Sequence, residues 1–134
     1  MFDSLDISSS ALQAQRVRLT TIADNIAKMN ATRNEHGQAI PPRRKFAVFA
    51  AGQAGDPSRP GVHVQKIEQD RSAFRKVHDP YHPDADKEGY VSYPNIDLSF
   101  EFVNALEASR AYEANVTAME VSKSMVNASL RLLA

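Results

Sequence analysis

The residues best suited to chemistry lie in one run, His78-Asp79-Pro80-Tyr81-His82-Pro83-Asp84-Ala85-Asp86, which gathers two imidazoles and three carboxylates in nine positions. Imidazole and carboxylate are common ligands of divalent metals. A helix could aim His78 and His82 at one ion, but Pro80 and Pro83 forbid a helix there. A loop could still wrap an ion, so a metal-dependent enzyme using His78, His82, Asp84 and Asp86 stays open as an alternative. The other reading is a rigid turn with solvated carboxylates, and no metal is assigned. A second cluster, Arg43-Arg44-Lys45 with Arg33 nearby, precedes Phe46 and Phe49. Nucleic-acid binding needs such a patch, but three cations in a neutral chain read better as a loop end or as salt-bridge partners for a neighbouring subunit. No Gly-x-Ser-x-Gly elbow and no phosphate-cradling glycine loop is present.

The chain has 134 residues and a formal net charge of zero. A neutral chain has no general attraction for nucleic acid or anionic membrane, and neutrality permits self-association. It contains no cysteine, which removes disulfides and thiolate chemistry. No apolar run approaches the roughly 20 residues of a membrane span. MFDSLDISSS is acidic where a secretory signal would be basic, which by itself predicts a cytosolic protein.

What must position any site is a pair of long helices. From Asp97 to Ala134 there is no Pro and no Gly. Steps of four and three from Leu98 meet Phe102, Ala105, Ser109, Tyr112, Val116, Met119, Lys123, Val126, Leu130 and Leu133. That 3.5-residue period predicts a helix seeking a partner helix along its length. Leu106 and Val103 widen the stripe near its start. Asp97 or Asn95 is suited to cap it, and Pro94 ends what precedes. Such a helix would be about 55 Å long, too long for a small domain to cover alone. A matching segment runs from about Ser4 to Asn30. There Leu5, Leu12, Leu19 and Ile26 recur every seven residues, with Ile22, Ala23 and Met29 beside them. Asp3 or Ser4 is expected as its cap.

Between these ends the character changes. Six of seven prolines lie from Pro41 to Pro83, and all five glycines from Gly37 to Gly89. Short strands are expected at Lys45–Phe49, Val62–Ile67, Phe74–Val77 and Tyr90–Tyr93, joined by turn-rich loops. The expected fold class is α+β, with terminal helices pairing as a coiled-coil-like core around a small β-rich middle. The division is 1–32, 33–94 and 95–134. Because one-sided helices draw their stability from packing, the free monomer should be weakly helical.

Several stretches together resemble the axial proteins of the bacterial flagellum. At the N-terminus these are Ser10-Ala11-Leu12-Gln13-Ala14-Gln15, Leu19 and Ile22-Ala23-Asp24-Asn25-Ile26-Ala27. At the C-terminus they are Phe102-Val103-Asn104, Ser109-Arg110-Ala111-Tyr112-Glu113-Ala114-Asn115-Val116 and Lys123-Ser124-Met125. Asp79 to Asp86, Gly89-Tyr90-Val91 and Pro94-Asn95-Ile96-Asp97 are similar to the proximal-rod members of that family. Lys28 departs from the family's usual second Asn, and Ala31-Thr32-Arg33-Asn34 replaces a Thr-Pro-Gly-Tyr element; the loop from Ala51 to Gly61 has no match.

The resemblance implies a non-catalytic subunit, exported without a cleaved signal, that polymerises helically in the periplasm-spanning rod. It implies contact with other copies, other rod proteins, the export gate and membrane-ring components. It implies no cofactor, nucleic acid or small-molecule substrate. The implied assembly surface is Leu5, Leu12, Leu19, Ile22 and Ile26 on the first helix. On the second it is Phe102, Leu106, Tyr112, Val116, Met119, Val126 and Leu130. A soluble coiled-coil adaptor is the remaining alternative.

Overall fold

The computed structural model describes residues 2–134. Helix α1 spans Phe2–Lys28 and helix α2 spans Leu98–Leu133. Between them lie β1 (Lys45–Ala51), β2 (Val62–Gln69), β3 (Arg75–His78) and β4 (Tyr90–Tyr93). The class is α+β, as expected. β1 pairs antiparallel with β2, and β3 with β4, in separate two-stranded sheets. A register shift between Val48 and Phe49 bends the first ribbon, as an extra residue in one strand does.

The caps differ in detail from expectation. Asp97 is the cap of α2, its carboxylate accepting the Ser99 amide at 2.9 Å. Asn95 instead donates to the Ser72 hydroxyl. Helix α1 already includes Asp3 and Ser4, so neither caps it, although Asp3 still faces the positive end of the helix dipole. The third strand begins at Arg75 and not at Phe74, whose ring lies under the Arg43 guanidinium, 4.4 Å away.

The two helices run antiparallel. Ser4 meets Ser122, Arg18 meets Glu107 and Asn25 meets Glu101, which sets one continuous register. Since Ser4 lies beside Ser122, the last turns of α2 extend past the start of α1. Met125, Leu130, Leu132 and Leu133 there are exposed, the last two by 88% and 85%. The buried apolar side chains are small or medium: Ala14, Ile22, Val91, Ile96 and Ala108. A core of this size supplies little of the burial that usually offsets chain entropy.

Candidate assembly interface

A buried polar knot holds the helix pair to the first ribbon. Asn25 is 2% exposed. Its Oδ1 accepts the Lys45 amide at 2.9 Å and its Nδ2 donates to the Lys45 carbonyl at 2.7 Å. The side chain thus stands in for a strand neighbour where β1 begins. Nδ2 also lies 3.4 Å from Glu101 Oε2. Glu101 is fully buried, and its other oxygen accepts from Arg44 Nε. A buried carboxylate needs both a counter-charge and hydrogen-bond donors; Arg44 and Asn25 provide them from two other elements. The Arg44 guanidinium also lies over the rings of Phe46 and Phe100.

This corrects the reading of the basic cluster. Arg44 finds its partner within its own chain, because its side chain, just ahead of β1, reaches the buried Glu101 of α2. Arg43 donates to the carbonyls of Asp70 and Ser72. Arg33 is far from both in role: it forks onto Asp84, with contacts of 2.8 to 3.1 Å.

The chemistry-bearing loop is built as a structural turn. Asp84 takes Arg33 and the Thr32 hydroxyl, which together hold its carboxyl below the usual range. Asp86 accepts the amides of Tyr90 and Glu88, and the Tyr90 amide chiefly lowers its pKa. His82 Nδ1 accepts the Asp84 amide at 3.0 Å, and the His78 ring meets Tyr90 edge-on. Gly89 has φ +83°, and a Cβ there would press on Pro80 and His78, so this position requires glycine. Among the described residues, no three His, Asp or Glu side chains are placed to share a metal ion. Of the donors of the enzyme alternative, His82, Asp84 and Asp86 hold hydrogen bonds within the protein, and the His78 ring packs on Tyr90.

The seam residues divide into two groups. On α1, Ile22 is buried, and Leu5, Leu12, Leu19 and Ile26 are half-buried. On α2, Val116, Met119 and Val126 are half-buried. Phe102, Leu106 and Leu130 stay 58%, 55% and 58% exposed, and Tyr112 is at 37%. A straight helix advances about 100° per residue, so Phe102 and Val126, 24 positions apart, lie about 120° apart around the axis. One straight partner cannot cover both. Near the start of α2, the buried positions are instead Glu101 and Ala108, and a small residue such as Ala108 lets α1 approach closely. The larger apolar side chains are left facing out.

Sequence patterning missed Asn25, Arg44, Glu101 and the Arg33–Asp84 pair.

Two family models match the chain at its ends. "Flagella basal body rod protein" covers residues 5–34, and "Flagellar basal body rod FlgEFG protein C-terminal" covers residues 87–132. The flagellar basal-body rod protein FlgC of Bacillus subtilis is 40% identical, over 98% of this chain and 97% of its own length. FlgC of Escherichia coli O157:H7 is 37% identical over the same shares, and FlgC of Borreliella burgdorferi is 39% identical over 99% and 97%. With relatives this similar matching it nearly end to end, and both helical ends matching rod-protein models, the chain belongs to the FlgC family of flagellar basal-body rod proteins.

Proposed function

We propose that this chain is a structural subunit of the proximal rod, polymerising helically through its terminal helices. The observation that carries this is the outward row of large apolar side chains on α2, Phe102, Leu106 and Leu130, with Leu132 and Leu133 beyond the reach of α1. A monomer gains nothing from keeping them in water; a subunit buries them against neighbours. Segments 1–32 and 95–134 act as the assembly core, and 33–94 as a middle domain carried on it. The partners are further copies, other rod proteins, the export gate and membrane-ring components. The subunit reaches its place in the periplasm through the flagellar export apparatus. Its role needs no catalysis, which agrees with the Asp84 and Asp86 carboxylates being engaged within the loop and with Arg33 and Thr32.

The test is electron microscopy of basal bodies from cells lacking this chain. Rods should stop short and hooks should be missing, and the intact chain supplied in trans should restore both. Complete rods in its absence would sink the proposal.

A further inference from the structure

One large side chain is presented to solvent with no structural reason inside the monomer. Tyr81 is 97% exposed, yet it sits on a loop held at several points. Pro80 precedes it by one residue and Pro83 follows by two. The His82 amide donates to the Asp79 carbonyl, and the Ala85 amide to that of His82. The Asp79 amide donates to Gly89, and the Asp86 amide to Tyr90. Arg33 and Thr32 tie the far side of the loop to the chain that follows α1. A pre-ordered loop presenting a tyrosine loses little entropy on docking, and tyrosine is among the residues that dominate interfaces. Beside it, the Asp79 carboxylate has no ion-pair partner among the described residues.

The same chain carries a complementary hollow. An open groove of about 360 Å³ lies where α1, β1 and α2 meet, lined in part by Ile22, Phe46, Phe49 and Phe100. Lys45 is also at this groove, and its ammonium likewise has no ion-pair partner among the described residues. The walls are held firm by the Asn25–Glu101–Arg44 knot directly behind them.

We infer that Tyr81 of one subunit seats in the Phe46–Phe49–Phe100 groove of a second copy, with Asp79 meeting Lys45. The patch and the groove are different surfaces of one chain, so the contact is head-to-tail. Such contacts generate rings or helices and do not close as a two-fold pair. This inference rests on the rod reading above and adds to it a specific contact made by the middle of the chain.

The absence of cysteine in the natural chain makes a direct test available. Subunits carrying both Tyr81→Cys and Phe100→Cys are assembled in cells, and isolated basal bodies are treated with a short bismaleimide. A ladder of covalent multimers of this chain is expected, and none from either single variant or from Tyr81→Cys with Leu132→Cys. Asp79→Lys should lose motility, and adding Lys45→Asp should restore it. Basal bodies that contain the chain but give no ladder would overturn the contact and leave the rod role standing. So would a product joining Tyr81→Cys to a different rod protein, or a charge swap without rescue. Basal bodies that form without the chain would overturn both.

Discussion

The side-chain amide of Asn25 grips the Lys45 peptide from both sides, accepting its N–H at 2.9 Å and donating to its C=O at 2.7 Å. A residue of the first helix thereby completes the pairing of the first strand twenty positions later. The same Nδ2 faces the buried Glu101 carboxylate of the last helix. One side chain therefore joins the elements at both ends of the chain to the start of the middle.

Removing that grip should be costly. Asn25→Ala leaves the part-buried backbone groups of Lys45 without partners, at up to about 1–3 kcal/mol for each group left unpaired. Asn25→Asp keeps an acceptor for the Lys45 amide but loses the donor and sets a second carboxylate beside Glu101. Urea unfolding at neutral pH should rank Asn25→Asp below Asn25→Ala. Acid should narrow the gap, since a protonated Asp regains a donor and sheds its charge. Equal stabilities across pH would mean that the Glu101 charge is not felt at position 25.

The Arg44–Glu101 pair should show the asymmetry of buried charges. Arg44→Met alone leaves the Glu101 carboxylate without its counter-ion, a loss of about 3–5 kcal/mol. Adding Glu101→Leu should recover much of that loss, because two apolar residues need no partners. A double variant as unstable as the single one would show that the pair is needed for more than mutual neutralisation.

Assembly and folding can be separated on α2. Leu106 is 55% exposed in the monomer, so Leu106→Asp should change monomer stability by no more than about 0.5 kcal/mol while cells lose their hooks. Leu12→Asp and Val116→Asp should also abolish rod growth. Both of those residues are half-buried, so their monomers should weaken as well. Glu113→Ala, on an exposed position, is the control and should leave swimming intact. Hooks of normal number on Leu106→Asp cells would mean that this face is not an assembly surface.

The Asp79–Asp86 loop should respond to acid and not to metal. The folded-state pKa of Asp84 lies below its ordinary value of 3.8, chiefly through the Arg33 hydrogen bonds. A lowered carboxyl pKa contributes stability above the unfolded value, and that stability fades as pH falls through the folded one. Carboxyl and guanidinium NMR signals of the pair should thus change together, with a midpoint below 3.8. His78→Gln with His82→Gln should leave swimming largely unchanged. Motility lost in that variant and restored by zinc would return the loop to metal chemistry.

A final expectation concerns the free chain. Its buried apolar residues are few, and α2 runs beyond its partner with Leu132 and Leu133 in water. Far-UV circular dichroism of dilute monomer should show less helix than the 27 and 36 residues of α1 and α2 would give when fully formed, the deficit falling in the turns of α2 beyond Ser122 while the knot keeps the paired turns folded. A dilute monomer with full helicity would show that the pair is stable without neighbours.

The sequence by itself determined the elements. Heptad spacing, the Pro- and Gly-free ends and the alternation at Lys45 and Val62 placed both helices and the four strands to within a few residues, because period and backbone permission are local properties. The cap at Asp97 was legible for the same reason. Tertiary structure decided which residues face which partner. A 3.5-residue repeat does not say where a straight helix will turn its stripe, so only the antiparallel register separates Val116 and Val126, toward the chain, from Phe102 and Leu130, toward solvent. The knot was illegible because Asn25, Arg44 and Glu101 are ordinary polar residues in sequence. They become a buried unit only when α1, β1 and α2 exclude water from the same point, and each then requires the other two.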